Sequence, residues 1–280
     1  MEIIENIDEL SKKLDNERVG GSTLAFVPTM GYLHAGHLSL LQVAKESASR
    51  TIVSIFVNPL QFDNSEDLAK YPTDLDQDKA LLLKEGVDYL LIPSHTDIYP
   101  PGFQTKVSLT KFTEAFEGKF RPGHFEGVAT VVSILFNIVR PDYAVFGEKD
   151  FQQMRVIEQM TCDLRIPLKI LRAPTARDFD GLALSSRNVR LSKEDREAAL
   201  SVSRGLFKAK EARQSGVKDA DQLKTIVFKE IVAAKKLQVE YIALVEEDNL
   251  QEIHRAAEKT RILVAVKVSG VRLIDNIRLY

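Results

Sequence analysis

The sequence lacks the features that mark secreted and membrane proteins. One cysteine, Cys162, occurs in 280 residues, so no disulfide bond can form within the chain and a reducing compartment is expected. Segment 1–14 is charged and amphipathic without the apolar core of a signal peptide, and no apolar run reaches the length of a membrane span. We therefore expect a cytoplasmic protein without a membrane partner, in which Cys162 is a small buried side chain of a helix.

The sequence also lacks an excess of charge of either sign. Its 38 basic and 40 acidic residues give a formal net charge of -2. Proteins that grip nucleic acid need a strongly basic surface, because their affinity depends on neutralising phosphates. The composition therefore predicts a small-molecule partner and no nucleic acid, in a globular chain long enough for one large domain or two.

The most informative stretch is 28–37, which reads PTMGYLHAGH. The apolar run 24–27 before it predicts a buried strand, and the apolar spacing of 38–44 after it predicts a helix. Open α/β sheets bind ligands at such strand-to-helix turns, and the N–H groups of a helix start suit phosphate. His34 and His37 share one face of the first helical turn. On this pattern alone, a nucleotide site, a pair of metal ligands and a pair of surface histidines remain alternatives, although no cluster nearby completes a metal site.

Strand patterns alternate with helical patterns through the first part of the chain. The predicted strands are 24–27, 51–57, 87–93, 104–109, 142–146 and 166–173. The helices between them include 67–86 and 128–140. This alternation predicts an α/β fold, a Rossmann-like parallel sheet with helices on both faces. From Ser192 onward, two helices and three short strands predict a smaller α+β C-terminal domain, and we expect domain limits of 1–176 and 177–280.

Four further motifs follow predicted strands or precede helices. They are NPLQF at 58–62, RPGHF at 121–125, GEKD at 147–150 and SSRN at 185–188. Amides and a lysine at strand ends can meet a ligand, and hydroxyls with an arginine on a loop can close over a triphosphate. Taken singly, each motif is more often a turn or a solvated loop.

In order and spacing, these motifs resemble the HxGH nucleotidyltransferase superfamily, which includes the class I aminoacyl-tRNA synthetases. Within it, the chain is similar to the pantoate–β-alanine ligase family from its first helix to the closing segment 272–277. The resemblance implies ATP-dependent condensation of (R)-pantoate with β-alanine to pantothenate through a pantoyl adenylate, with release of AMP and pyrophosphate. It also implies Mg²⁺ that accompanies ATP, no tightly bound organic cofactor, and a homodimer. Protein ligands of the metal are not implied.

The resemblance also carries residue roles to this sequence. The implied catalytic residues are His34, His37, Lys149, Ser185, Ser186 and Arg187. The implied ATP-binding residues are Met30, Gly31, Tyr32, Leu33, His34, Ala35, Gly36, His37, Gly147, Glu148, Lys149, Asp150, Ala176, Leu184, Ser185, Ser186 and Arg187. The implied residues for pantoate and β-alanine are Asn58, Gln61, Arg121, His124, Val131, Val132, Phe146 and Gln153.

Three positions depart from the family pattern. Thr73 stands where arginine is expected, which leaves the role of that position open. Ala176 in place of valine and Leu184 in place of methionine are expected to be tolerated. Nearby in the sequence, Asp76 and Asp78 could lie close to a metal–phosphate group, but we expect them to form a solvated helix face.

Two other functions remain alternatives. One is a nucleotidyltransferase of the same fold that moves AMP onto a phosphorylated metabolite, and the paired Gln61 and Gln153 argue against it. The other is a non-catalytic nucleotide-binding module, against which the intact catalytic set argues.

Overall fold

The computed structural model describes residues 1–62 and 65–280, apart from the side chain of Ser65. Two compact units form within that part of the chain. The first consists of Met1–Glu148 and Gln152–Pro174, and the second of Lys149–Phe151 and Thr175–Tyr280. The first unit is α/β and the second α+β, which confirms the predicted fold class. The expected domain limits differ from these units at 175–176 and at 149–151, both of which group with the second unit. Both segments that flank 149–151 belong to the first unit.

A parallel sheet forms the centre of the first unit. Its strands are β1 (Glu2–Ile4), β2 (Leu24–Thr29), β3 (Arg50–Ile55), β4 (Tyr89–Leu91), β5 (Tyr143–Gly147) and β6 (Lys169–Ala173). They lie in the order β1-β4-β3-β2-β5-β6. The chain builds outward from β2 on one side and later adds β5 on the other. The carboxyl ends of β2 and β5 therefore form the topological switch point at which open α/β sheets bind ligands.

Helices cover both faces of this sheet. They are α1 (Ile7–Val19), α2 (Ala35–Ser47), α3 (Ser65–Ala69), α4 (Leu75–Lys84), α5 (His95–Ile98), α6 (Glu117–Phe120), α7 (His124–Val139) and α8 (Phe151–Asp163). On one face, Leu41 of α2 and Leu82 of α4 form a buried cluster with Val27 of β2. Phe26 precedes Val27 and so points to the opposite face, where it is also fully buried. Strands covered on both faces are the normal case in parallel sheets.

One predicted strand is wrong. Residues 104–109 form no regular element. The amide of Val107 donates to Oγ1 of Thr130 in α7 at 3.0 Å, so the segment lies along a helix instead of pairing with a strand. Alternating apolar residues fit either arrangement, because both bury every second side chain.

Two predictions about helices also need correction. The predicted helix 67–86 is divided into α3 and α4 around Pro72, which has no N–H and restricts the residue before it. Asp74 starts the second helix by accepting a hydrogen bond from the amide of Gln77 at 3.0 Å. Cys162 does lie in a helix, α8, but it is exposed and not buried.

The second unit packs two long helices against an antiparallel sheet. Its elements are α9 (Lys193–Gln214), α10 (Ala220–Ala233), β7 (Leu237–Glu246), β8 (Thr260–Val268) and β9 (Val271–Arg278). Leu206 of α9 shares a buried cluster with Val227 of α10 and Val264 of β8. The helices approach closely at Gly205, where a Cβ atom would lie 3.1 Å from Cα of Val227.

A hydrogen-bonded cluster joins α1 to the amino ends of the first sheet. The carboxylate of Glu17 accepts from the Tyr89 hydroxyl at 2.6 Å, from the Ser22 hydroxyl at 2.8 Å and from Nε of Arg50 at 3.0 Å. These bonds, that of Tyr89 first, hold the pKa of Glu17 below its ordinary value. Burial raises the pKa of Tyr89 to about 12, so its hydroxyl stays a donor. The cluster lies at the end of the sheet opposite the switch point.

Replacing Glu17 by glutamine tests the contribution of this cluster. Loss of the charge-assisted bonds should lower the free energy of unfolding at pH 7 by roughly 1–2 kcal/mol. Because the folded pKa is lowered, this contribution is present above the ordinary glutamate value and is lost as the pH falls through the folded pKa. Urea unfolding curves of the two proteins should therefore converge below about pH 4.

The matched control is Glu66→Gln, since Glu66 of α3 forms an exposed pair with Lys70, which follows the helix. Its effect should stay below about 0.5 kcal/mol at every pH. If the loss of unfolding free energy in Glu17→Gln stays the same down to about pH 3, the ionised carboxylate is not its cause.

Candidate active site

The chain makes a left-handed turn between β2 and α2. Gly31 and Tyr32 have φ angles of 79° and 52°, a region that glycine adopts freely and other residues adopt at a cost. A side chain at position 31 would place its Cβ 2.9 Å from Oδ2 of Asp78 and 3.1 Å from Cγ2 of Ile55. Conformation and space both restrict this position to glycine. The predicted strand-to-helix turn is thereby confirmed.

The carboxylate of Asp78, in the first turn of α4, holds this turn. Its Oδ2 accepts from the amide of Tyr32 at 2.8 Å and its Oδ1 from the amide of Leu33 at 2.6 Å, and the residue is 1% exposed. Burial raises the pKa of Asp78, and the two backbone hydrogen bonds oppose that rise. The expected solvated helix face is therefore wrong for Asp78, although Asp76 is exposed. The burial of Asp78 could have been inferred from its spacing, because it precedes the buried Leu82 by one helical turn and so lies on the same helix face.

His34 and His37 cap the start of α2 with their rings. Nδ1 of His34 accepts from the amide of Gly36 at 3.1 Å, and Nδ1 of His37 accepts from the amide of His34 at 3.3 Å. The ring centroids lie 4.2 Å apart, and the planes are tilted by 49°. Since Nδ1 is an acceptor in both rings, each neutral ring carries its proton on Nε2. Both histidines are thus N–H donors at a helix N-terminus, where the helix dipole favours an anion.

Gln61 lies in a short 3₁₀ turn after β3, and neighbouring side chains fix its amide. Nδ2 of Asn58 donates to Oε1 of Gln61 at 3.0 Å and to the carbonyl of Gly127 at 3.1 Å. Nε2 of Gln61 donates to Sδ of Met30 at 3.1 Å, which connects this turn to the end of β2. Tyr99, which the sequence analysis did not single out, donates its hydroxyl to Oδ1 of Asn58 at 2.7 Å. Burial raises the pKa of Tyr99, so the hydroxyl remains protonated.

Arg121 and His124 contact the backbone of Gln61. Nδ1 of His124 lies 2.8 Å from the carbonyl oxygen of Gln61, and Nη2 of Arg121 donates to the same oxygen at 3.1 Å. Because a carbonyl can only accept, His124 carries a proton on Nδ1, and its Nε2 accepts from Nη1 of Arg121 at 3.3 Å. Both side chains therefore position Gln61, while their predicted contact with a substrate stays a prediction.

Helix α7 meets the Gln61 turn at a glycine. A Cβ atom on Gly127 would lie 2.3 Å from the carbonyl oxygen of Leu60, so no larger residue fits there. One turn farther along α7, Val131 and Val132 are both buried. Phe146, at the end of β5, is buried as well. All three belong to the set that the resemblance implies for pantoate and β-alanine, and that role stays a prediction.

Adjacent glutamines near the start of α8 have different surroundings. Gln152 is buried, and its Oε1 accepts from the amide of Glu117 at 3.0 Å. Its Nε2 donates to the carbonyls of Phe112 at 2.8 Å and Ala115 at 2.9 Å. Gln153, the predicted substrate ligand, is half-buried on the next position of the helix. Gln152 thus fixes the loop before α6, a role that the sequence pattern QQ does not reveal.

The GEKD motif follows β5 and belongs to both units. Gly147 ends the strand, and Glu148–Asp150 forms a 3₁₀ turn. The side chain of Lys149 is 18% exposed, and its Nζ lies 3.6 Å from Oδ1 of Asp150. The ammonium group of a lysine is a compact positive charge with three donors, which suits a phosphate oxygen.

The SSRN loop of the second unit folds back on itself. The amide of Leu184 donates to the carbonyl of Ala176 at 3.0 Å. Oγ of Ser185 accepts from the amide of Arg187 at 3.3 Å and so caps a 3₁₀ turn, Ser186–Arg190. Ser186 is buried. The implied phosphate ligands of this loop are therefore held in an ordered turn.

Among residues 1–62 and 65–280, no group of three His, Cys, Asp or Glu side chains could hold a metal ion. No helix of these residues is long and apolar enough to cross a membrane. Thr73, the position that departs from the family pattern, is exposed between α3 and α4.

Known proteins similar to this chain match it along nearly its whole length. The family model described as pantoate-beta-alanine ligase matches residues 2–278. A pantothenate synthetase of Sulfurihydrogenibium sp. strain YO3AOP1 is 46% identical over 278 residues, 99% of each chain. The crystal structure of a pantothenate synthetase from Thermus thermophilus has a TM-score of 0.95 and 41% identity, with 100% of both chains covered. A pantoate-beta-alanine ligase from Francisella tularensis, complexed with beta-gamma ATP and beta-alanine, has a TM-score of 0.82 and 37% identity, covering 100% of this chain and 98% of that one.

Replacing Asp78 by asparagine tests its hold on the turn. An asparagine can accept from one of the two amides, but its Nδ2 group would face the other donor. We expect the free energy of unfolding to fall by about 1–3 kcal/mol, and the amide of Tyr32 or Leu33 to exchange with solvent much faster. Asp76→Asn, the exposed control two residues earlier, should stay within about 0.5 kcal/mol of the unaltered protein. Unchanged exchange at both amides in Asp78→Asn would show that the carboxylate does not hold the turn.

Proposed function

The chain belongs to the pantoate–β-alanine ligase family, and we propose that it condenses pantoate with β-alanine in two steps that consume ATP. It is an acid–amino-acid ligase, and its product is pantothenate. A carboxylate is a poor acyl donor because its oxygen is a poor leaving group, whereas AMP leaves readily. The Francisella tularensis ligase in complex with a nucleotide and beta-alanine supports these substrates.

In the proposed first step, a carboxylate oxygen of pantoate forms a bond to the α-phosphorus of ATP. The bond from that phosphorus to the oxygen bridging the β-phosphate breaks, and pyrophosphate leaves. Charge redistributes over the phosphate oxygens, so donors fixed in place contribute most of the catalysis. We assign these donors to His34, His37, Lys149, Ser185, Ser186 and Arg187. The attacking carboxylate is already ionised and needs no general base.

In the proposed second step, the amine of β-alanine attacks the acyl carbon of the adenylate. A C–N bond forms, the bond between the acyl carbon and the AMP oxygen breaks, the amine nitrogen releases one proton, and AMP leaves. A site closed to bulk water at this stage protects the reactive acyl group from hydrolysis.

We assign the pantoate site to the Gln61 turn and its surroundings. An amide side chain offers both a donor and an acceptor, which suits a neutral hydroxyl beside a carboxylate. Gln61 and Gln153 supply such amides, and Asn58 orients the first of them. The buried Val131 and Val132 suit the methyl groups of pantoate, which need apolar walls.

We further propose that Mg²⁺ enters with ATP as part of the substrate. Mg²⁺ usually keeps several waters and is held through phosphate oxygens with few protein ligands. We also propose that the chain is a homodimer of the cytoplasm, in keeping with its family and with its single cysteine. Its molar mass in solution tests the dimer.

The observation that carries the proposal is the pair of histidines, His34 and His37, whose rings cap the start of α2. The backbone bonds to Nδ1 determine which ring nitrogen bears the proton, so both Nε2–H groups are donors before any ligand arrives. Preorganised donors of this kind stabilise a developing negative charge without rearrangement during the reaction.

Replacing His37 by alanine tests the first step. Removal of one such donor should slow pyrophosphate release by about 10²–10³, while ATP affinity changes much less. Preformed pantoyl adenylate should still react with β-alanine at close to the normal rate, because attack at phosphorus has already occurred. The exposed His254 provides the control, and His254→Ala should leave both half-reactions unchanged. Normal adenylation with failed amide formation would assign His37 to the second step and contradict this mechanism.

Replacing Tyr99 by phenylalanine tests the pantoate site without touching the substrate. Oδ1 of Asn58 no longer receives a hydrogen bond from the Tyr99 hydroxyl, so Asn58 holds the amide of Gln61 in a less well-defined orientation. We expect the KM for pantoate to rise about three- to tenfold, with the KM for ATP nearly unchanged. Tyr280→Phe, which removes an exposed hydroxyl of the second unit, is the control. Equal increases in both KM values would place the effect outside the pantoate site.

A further inference from the structure

We infer that Asn276, on β9, is a positioning residue that fixes the backbone of Lys149 for adenylate formation. The inference rests on the proposed contact of Lys149 with phosphate. Nδ2 of Asn276 donates to the carbonyl oxygen of Lys149 at 2.8 Å, and Asn276 is only 3% exposed. A hydrogen bond donated by a buried side chain from another part of the sequence thus holds the backbone of the residue that bears the ammonium group.

Arg261 determines which way the Asn276 amide points. Nη1 of Arg261 donates to Oδ1 of Asn276. Because a guanidinium can only donate, the amide oxygen must face Arg261 and the amide nitrogen must face Lys149. Arg261 is itself held, since its Nε donates to Oε1 of Glu247 at 2.8 Å and its Cζ lies 4.0 Å from the ring centroid of Phe151. The side chains of Arg261 and Glu247 are 3% and 5% exposed.

The neighbouring residue of β9 holds the start of the SSRN loop. Asp275 accepts two hydrogen bonds from the guanidinium of Arg177, at 2.6 and 2.9 Å. The carbonyl of Asn276 accepts from Nη2 of Arg177 at 3.3 Å. Arg177 also donates to the carbonyl of Gly181 at 3.1 Å, which closes the loop that leads to Ser185. Consecutive residues of one strand therefore hold both segments of the second unit that carry implied phosphate ligands.

This arrangement explains why 149–151 group with the second unit. A lysine has a long flexible side chain, so the place of its ammonium group depends on a fixed backbone. The turn Glu148–Asp150 is short, and a turn of this length does not fix its own orientation. The buried side chains of Asn276 and Arg261 supply that orientation, and they place Lys149 on the same framework as the SSRN loop.

Asn276→Asp is the sharpest test, because it keeps the shape of the side chain and its acceptor for Arg261. Ionised beside Arg261, the aspartate cannot donate to the carbonyl of Lys149. We expect pyrophosphate release from ATP and pantoate to slow about tenfold, as for the loss of one buried hydrogen bond to a positioned group. In a Lys149→Ala background the same change should slow the reaction less than about twofold, because the group that it positions is gone.

Thr260→Val is the matched control for destabilisation of the same sheet. Thr260 is fully buried and bonds to the amide and carbonyl of Ala257, without a bond to Asn276. The Thr260→Val substitution should lower Tm without slowing pyrophosphate release. If Asn276→Asp proves insoluble, Asn276→Ser, whose shorter side chain cannot bridge both partners, is judged by the same criteria.

The outcomes separate this inference from the proposed function. An equal slowing by Asn276→Asp with and without Lys149, or no slowing at all, would overturn the positioning role and leave the function intact. A Lys149→Ala variant with normal pyrophosphate release would overturn the proposed role of Lys149, and the inference with it. A tenfold loss confined to the background that retains Lys149 supports both.

Discussion

A buried carboxylate determines the conformation on which the candidate site depends. Asp78 accepts hydrogen bonds from two successive amides of the left-handed turn after β2, and a buried amide without an acceptor would cost stability. This turn determines where α2 begins. The hydrogen bonds at the start of α2 then fix the orientations of the His34 and His37 rings. Burial of this charge costs stability, which its raised pKa reflects. The carboxylate nevertheless stabilises the turn through its two hydrogen bonds, and a buried charge with a shifted pKa is typical of functional sites.

Most predictions from sequence hold where the responsible residues are neighbours in the chain, although the break of helix 67–86 at Pro72 was missed. The strand, turn and helix around 28–37 follow from local patterns, and so does the division into an α/β and an α+β part. Contacts between distant segments were not predicted. Asp78 lies 45 residues from Leu33, and a hydrophobic pattern reports burial of apolar side chains but not of a carboxylate that faces backbone amides. The wrong strand at 104–109 has the same origin, since its partner is a side chain of α7.

The second unit shows a related limit. The motifs GEKD and SSRN can be recognised from their residues. The sequence does not show that side chains of β9 form hydrogen bonds to both segments. Asp275 and Asn276 read as polar residues of an ordinary strand, because nothing near them in the sequence indicates Arg177 or Lys149 as partners. Buried hydrogen bonds of this kind are determined by the fold and can be assigned only once three-dimensional contacts are known.

The capping of α2 by histidine links helix formation to proton uptake. Asparagine, aspartate or serine would accept the same amide hydrogen bonds, and an asparagine or serine cap would do so at any pH. An imidazole does so only while Nδ1 keeps its lone pair. A proton taken up there sets two N–H donors against each other at 3.1 Å in His34 and at 3.3 Å in His37. The cap of α2 therefore needs the lone pair of Nδ1 in both imidazoles, and the same tautomer places each ring N–H on Nε2.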